Sequence, residues 1–231
     1  MSNDSLTDKQ RVANYACQLV EDGMIIGLGT GSTANCFIEK LAEMVCENDL
    51  KIITVSSSVV SMVKAQELGL EVLAIDQINK LDLYVDGADE VTEDFTLLKG
   101  RGSDLVREKL LAKASDQMIV MVDDSKLVQR IGEKYPIPVE VMPFAWALVK
   151  ASIEDLGGKG ELRKNASGDG LAVTSYGSLV LDIHFDEEID GHSINQLLNS
   201  LPGVVEHGVF CGLATTVLVA ADGQVEHRIT V

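Results

Sequence analysis

The chain has 231 residues, 46% hydrophobic and 24% charged, which suits one large α/β domain or a domain with a smaller companion; only 4% is aromatic, so the core must be built from Val, Leu, Ile and Ala. Nineteen Lys and Arg stand against 36 Asp and Glu, and the formal net charge of −17 excludes nucleic acid or an anionic membrane as a partner drawn in by long-range attraction. An anionic ligand would need a local device, such as backbone N–H groups and one or two lysines, to overcome that field.

The N-terminus MSNDSLTDKQ is polar and no apolar run approaches 18 residues, so a soluble, cytoplasmic protein is expected. Helical spacing of Val12, Tyr15, Ala16, Leu19 and Val20 predicts a helix over 7–21, stopped by Asp22-Gly23. A short apolar strand over 24–28 leads into Gly29-Thr-Gly-Ser-Thr33 and a helix through Phe37, Ile38, Leu41 and Val45. A strand over 52–55 ends in three serines, and the helix after it stops at Gly69; strands over 72–75 and 81–85 follow. Residues 95–98 read as strand or turn, and Ser103 is placed to N-cap a helix with Leu105, Val106, Leu110 and Leu111 on its apolar face. A strand over 118–122 ends in Asp-Asp-Ser-Lys126. Near-continuous apolar strands alternating with helices predict an α/β fold, a mostly parallel Rossmann-like sheet with helices on both faces.

The pattern changes near Ile131, with Pro136 and Pro138 at the boundary. Strand 139–141, helix 144–156, strand 160–163, a polar hairpin over 164–170, strand material at 171–174 and 179–185, helix 193–200 and strand 204–210 approximate β-α-β-β-α-β. That predicts a smaller α+β domain (split β-α-β, ferredoxin-like) over 131–210. Residues 216–220 and 225–231 read as a hairpin rejoining the first domain, formed by 1–130 and 211–231. The cysteines form no C-x-x-C pair; Cys17, Cys36 and Cys46 lie in helical patterns and read as buried reduced thiols.

Four polar loops fall at strand C-terminal ends, where open α/β sheets bind ligands: 29–33, 86–90, 99–103 and 123–126. Gly27-Leu-Gly-Thr-Gly-Ser-Thr33 is a glycine-rich turn opening a helix, suited to a phosphate. It fails as a dinucleotide fingerprint because Ser32 occupies the third glycine position, and as a Walker A loop because it lacks Gly-Lys-[Ser/Thr]. The run Asp86-Gly-Ala-Asp89-Glu90 allows three readings: a solvated turn, acid/base groups whose proximity splits their affinity for protons, or oxygen ligands for a divalent cation. Lys99-Gly-Arg-Gly102 offers a cation on a flexible loop. On spacing alone Glu108, between Arg107 and Lys109, reads as a surface residue in an ion-pair pattern, and Lys126 as a solvated strand end.

Together the segments GLGTGSTA (27–34), SSS (56–58), YVDGADEV (84–91), LKGRGSDLVREKLLA (97–112 region), DDSKLV (123–128), PIPVEV (136–141) and LPGVVEHGVF (201–210) closely resemble the A-type ribose-5-phosphate isomerases, in family order over almost the whole chain. The resemblance implies interconversion of ribose 5-phosphate and ribulose 5-phosphate through an enediol, without metal or organic cofactor, by a likely-sized single enzyme chain that commonly pairs as a homodimer. It implies Glu108 as the base moving the carbon-bound proton, Asp86 in proton exchange at the sugar oxygens, Asp89 in ring opening, and Lys99 with the amides of Gly100, Arg101 and Gly102 against the enediolate. Thr30, Gly31, Ser32, Thr33, Lys126 and Lys9 would hold the phosphate, and Gly87 and Ala88 would line the substrate. Arg101 departs from the family's Lys-Gly-Gly-Gly; it would be strained if that position needs a positive φ, or its guanidinium would add a substrate contact. Two readings from other classes are a non-catalytic sugar-phosphate sensor and a coenzyme A transferase-like enzyme with a glutamate nucleophile.

Overall fold

The computed structural model describes residues 6–102, 104–185 and 189–230. The chain forms two compact units: Met1–Ala88 with Arg107–Lys126 and Leu213–Val231, and Asp89–Val106 with Leu127–Gly212. In chain order the elements begin α1 (Asp8–Cys17), β1 (Ile25–Leu28), α2 (Ser32–Asn48), β2 (Ile53–Ser56), α3 (Val59–Glu67), β3 (Val72–Leu73) and β4 (Leu81–Gly87). Next come β5 (Glu90–Val91), β6 (Leu97–Leu98), α4 (Leu105–Ala114), β7 (Ser115–Asp123), β8 (Ile137–Val141), α5 (Trp146–Asp155) and β9 (Lys159–Leu162). The last are β10 (Leu179–His184), α6 (Gly191–Ser200), β11 (Val204–His207), β12 (Val209–Phe210), β13 (Thr216–Ala221) and β14 (Gln224–Ile229).

In the first unit seven strands form one sheet, ordered β14-β13-β7-β4-β1-β2-β3 and parallel except for the β13–β14 hairpin. Consecutive residues Leu83, Tyr84, Val85 and Asp86 are all buried, and neighbours on a strand point to opposite faces, so both faces are covered. One face packs Ile26, Leu28, Leu83, Val85, Ile119 and Met121 against residues of α1 and α2 such as Val12, Phe37 and Leu41. The Thr7–Gln10 capping box starts α1. The edge strand β14 is polar and largely exposed, which guards an open edge against further pairing.

In the second unit β8 to β11 form an antiparallel sheet, ordered β11-β8-β10-β9. With α5 and α6 this is the expected β-α-β-β-α-β unit. Ile137, Val139, Val141, Leu181 and Ile183 pack on Val149, Ile153, Ile194 and Leu198. Strands β5, β6 and β12 make a separate three-stranded antiparallel sheet.

Several local expectations need correction. Helix α1 ends at Cys17, four residues before Glu21. Residues 171–174 make isolated bridges, Lys164 with Leu171 and Val173 with Leu179, instead of a strand. The expected strand over 204–210 breaks at Gly208 and serves two sheets, because the backbone there runs against Lys99: a Cβ on Gly208 would lie 2.2 Å from the Lys99 carbonyl oxygen. Leu110 is 55% exposed and leaves the apolar face of α4. Of the three thiols read as buried, Cys17 is, and burial pushes it up to about 12, whereas Cys36 is half-buried and Cys46 exposed. The Ser103 cap lies outside the described residues.

Candidate active site

In the first unit β1 and β4 are parallel neighbours, while β2 continues from β1 on the other side, so strand order reverses at β1 and the loops there open a crevice. Beyond Leu28 the chain turns through Gly29, Thr30 and Gly31 into α2. Gly29 is required by close approach, since a Cβ would lie 2.1 Å from Asp86 Oδ1. Gly31 is the N-cap with φ 104°, a conformation natural only to glycine, and supplies no side-chain cap. The first-turn amides of α2 therefore keep the arrangement in which helix N-termini hold anions. Lys9 of α1 donates from Nζ to Ser32 Oγ at 2.8 Å, which brings a cation to the same turn. Lys126 ends a short 3-10 turn after β7, at the same end of the parallel sheet.

The serines after β2 hold this loop. Thr30 Oγ1 lies 2.9 Å from Ser57 Oγ and 3.3 Å from Ser61 Oγ; Ser61 donates to the Gly29 carbonyl at 2.6 Å, and Ser58 caps α3. Asp86, fully buried, accepts from the Thr30 and Gly87 amides on Oδ1 (3.1 and 2.7 Å) and from the Tyr84 hydroxyl on Oδ2 (2.5 Å). Burial, then the Asp86 and Glu108 carboxylates, hold the Tyr84 phenol well above its usual range, so it stays a donor. Glu108 of α4 lies in the same unit and its charge adds to that push. Glu108 is only 4% exposed, against the surface reading that its flanking charges suggested.

The second unit carries Asp89, Glu90 and Lys99. Glu90 is buried and accepts from the amides of Gly132, Lys134 and Tyr135 at 2.7, 2.6 and 2.8 Å, so it anchors the 132–135 turn. A solvated turn over 86–90 is thereby excluded, since two of its three acids are buried. Lys99, 4% exposed, donates its amide to Gly208 O at 2.9 Å and holds Nζ 5.8 Å from the Phe210 ring centroid. Gly100 takes the positive φ of the loop (92°), and Arg101 does not, so the strain expected at Arg101 is absent. Its guanidinium lies 4.3 Å from the Tyr135 ring centroid and 3.8 Å from Asp89 Oδ1. Among the described residues no group of three or more His, Cys, Asp or Glu side chains could hold a metal ion, and no helix is long and apolar enough to cross a membrane.

Carboxylates are seldom buried beside an anion cradle unless protons are to be moved there. At that level fold and site define an α/β enzyme whose glycine-rich loop has the geometry that suits an anion. The family model for ribose 5-phosphate isomerase A (phosphoriboisomerase A) matches residues 53–224. A ribose-5-phosphate isomerase A of Thermosynechococcus vestitus is 41% identical over 232 residues, covering 99% of this chain and 98% of the relative. The structure of ribose 5-phosphate isomerase A from Methanocaldococcus jannaschii superposes with a TM-score of 0.91 at 35% identity, covering 99% and 100% of the two chains. A D-ribose-5-phosphate isomerase in complex with phospho-erythronic acid superposes with a TM-score of 0.92 at 35% identity, covering 96% and 97%. The chain belongs to the ribose 5-phosphate isomerase A family. A model of the DeoR C terminal sensor domain also matches, over residues 4–77 only.

Sequence reasoning missed the supporting groups: Tyr84 on Asp86, Ser57 and Ser61 on Thr30, and the anchoring use of Glu90. For Glu108 a signal was present. Leu105, Glu108, Leu111 and Ala112 fall at i, i+3, i+6 and i+7, which puts the glutamate on the buried stripe of α4.

Proposed function

We propose that the chain interconverts D-ribose 5-phosphate and D-ribulose 5-phosphate in the non-oxidative branch of the pentose phosphate pathway, with Glu108 as the base. The observation that carries this is a carboxylate buried on the apolar stripe of α4, in the unit that also holds the buried Tyr84–Asp86 pair, a costly placement unless it has a use. Thr30, Gly31, Ser32 and Thr33 hold the phosphate, with Lys9 and Lys126 supplying charge; Gly87 and Ala88 line the sugar. Asp89 assists opening of the furanose ring. Glu108 takes the proton from C2 of the open aldose, and the C1 carbonyl oxygen gains the charge. Lys99 and the amides of Gly100, Arg101 and Gly102 stabilise that oxygen. Asp86 serves the exchange of the hydroxyl proton between the two oxygens, and Glu108 returns its proton to C1.

A phosphorylated acid such as phospho-erythronic acid combines a delocalised pair of oxygens with a phosphate, as the enediolate does, and its presence in the related enzyme supports this reading. The sensor alternative draws on a match that ends at residue 77, before Asp86, Lys99 and Glu108. The reaction needs no metal or organic cofactor. The same proposal has the enzyme acting in the cytoplasm as a homodimer, without nucleic acid; the charge of −17 supports the last point and exposed apolar side chains around α5 the pairing.

Glu108→Gln tests the assignment. It should abolish exchange of the C2 proton with solvent and lower kcat by about 10²–10⁴, with sugar-phosphate binding kept and EDTA present throughout. Turnover within about tenfold of the wild type would remove Glu108 from this role, and loss of wild-type activity in EDTA, restored by Mg²⁺, would revive a metal.

A further inference from the structure

Arg163 follows β9 and is mostly buried, and each nitrogen of its guanidinium donates within the second unit. Nε donates to Asp182 Oδ2 at 2.9 Å and Nη2 to Asp182 Oδ1 at 2.5 Å, a two-pronged pairing. Nη1 turns away from the carboxylate and donates to two successive backbone carbonyls, Gly100 O and Arg101 O, each at 3.1 Å. Asp182 sits on β10, paired on both sides by β8 and β9, so the carboxylate is itself well placed to fix the plane of the guanidinium.

These contacts have a geometric consequence. Among the described residues no peptide bond is cis, and in a trans peptide the N–H points opposite to the C=O of the preceding residue. Fixing the Gly100 carbonyl therefore sets the Arg101 amide, and fixing the Arg101 carbonyl sets the Gly102 amide. Both N–H groups are turned to the side of the loop away from Arg163. Without that restraint the segment, with a glycine at 100 and another at 102, would have wide backbone freedom. Donors that stabilise a developing oxyanion act strongly only when they are oriented before charge appears.

We propose that Arg163, held by Asp182, is a positioning residue of the isomerase: it locks the peptide planes of the 99–102 loop so that the Arg101 and Gly102 amides are preset for the enediolate oxygen. The proposal rests on the role given above to that loop. Arg163 makes no contact with the reacting atoms; its effect is carried through the two carbonyls.

The test uses the full chain with Arg163→Met, Arg163→Lys, Arg163→Ala and Asp182→Asn. Arg163→Met should lower kcat for ribose 5-phosphate by about 10²–10³, the size of effect seen when one oxyanion donor is lost, with KM within about threefold. Binding of phospho-erythronic acid should weaken by a similar factor, while binding of inorganic phosphate is unchanged. Arg163→Lys, which keeps the charge without the fork, should be impaired as well, and Asp182→Asn by a smaller factor. Added guanidinium ion should restore part of the kcat of Arg163→Ala, which a merely structural role would not allow. Amide exchange at Arg101 and Gly102 should quicken in each variant. An active wild type with Arg163→Met or Arg163→Lys at wild-type kcat overturns the proposal, as does a rise in KM with kcat unchanged. If Arg163→Met fails to fold, Arg163→Lys and the guanidinium rescue decide. A wild type inactive on ribose 5-phosphate overturns the isomerase reading itself, a different result.

Discussion

Asp86 is gripped by two amides and a phenol, and Gly29 leaves it the room to be there. Gly29→Ala would put a methyl group 2.1 Å from Oδ1, so the carboxylate must shift off the Thr30 and Gly87 amides. Hydrogen bonds to a charged group contribute about 1.5–3 kcal/mol each. The variant should therefore melt several degrees lower and lose about 10²-fold in kcat, since misplacement by an ångström costs that much; steady-state assays and thermal melts check both, and near-normal kcat would show that the position of Asp86 is unimportant. The pair shows what a sequence carries and what it hides. The glycine-rich turn and the knot of acids were legible as neighbours in the chain. That Gly29 exists to admit Asp86, 57 positions on, depends on the pairing of β1 with β4, which local pattern does not encode. The three acids of 86–90 also looked alike, yet backbone amides brought by the 132–135 turn give Glu90 a purely anchoring task.

At the level of elements, the parallel sheet and the split β-α-β-β-α-β unit were both readable, because strands buried on two faces are apolar runs and those covered on one alternate. The failures came where tertiary contacts override local preference. Gly208 divides one apparent strand between two sheets, and Leu171 and Val173 look like strand residues but stay largely exposed. Central strand β8 hides a different anomaly: Glu140 is buried and accepts from Thr174 Oγ1 at 2.8 Å. Burial pushes its carboxyl above the usual range, with Glu206 and Asp104 adding to the push against the Thr174 and Ser178 hydroxyls. The folded protein thus holds this proton more tightly than the unfolded chain does. Its contribution to stability is complete below the ordinary value of 4.5 and is lost as pH rises through the raised one. Glu140→Gln, neutral at every pH, should lack this loss, so its melting temperature should gain on the wild type as pH rises above 4.5. Melts of the two proteins that fall in parallel over this range would contradict it.

For the molecule as a whole, charge and exposed apolar surface pull in opposite directions. A charge of −17 favours separation of copies, while Phe144, 84% exposed in the turn before α5, and Leu148, 76% exposed in its first turn, stand four residues apart. Sedimentation velocity should give twice the 24.9 kDa of one chain, and Phe144→Glu with Leu148→Glu should shift it toward one chain without loss of helix signal. A wild type sedimenting as a single chain at micromolar concentration would count against pairing. The division into units has a consequence for synthesis. The chain leaves the first unit after Ala88, returns at Arg107, leaves again after Lys126 and returns only at Leu213. Strand β13, which pairs with β7, therefore follows the whole small sheet in order of translation. A nascent chain emerging from the ribosome must hold the growing edge of its main sheet open until that smaller unit has been made, and this interval is when a chaperone would have the most to shield.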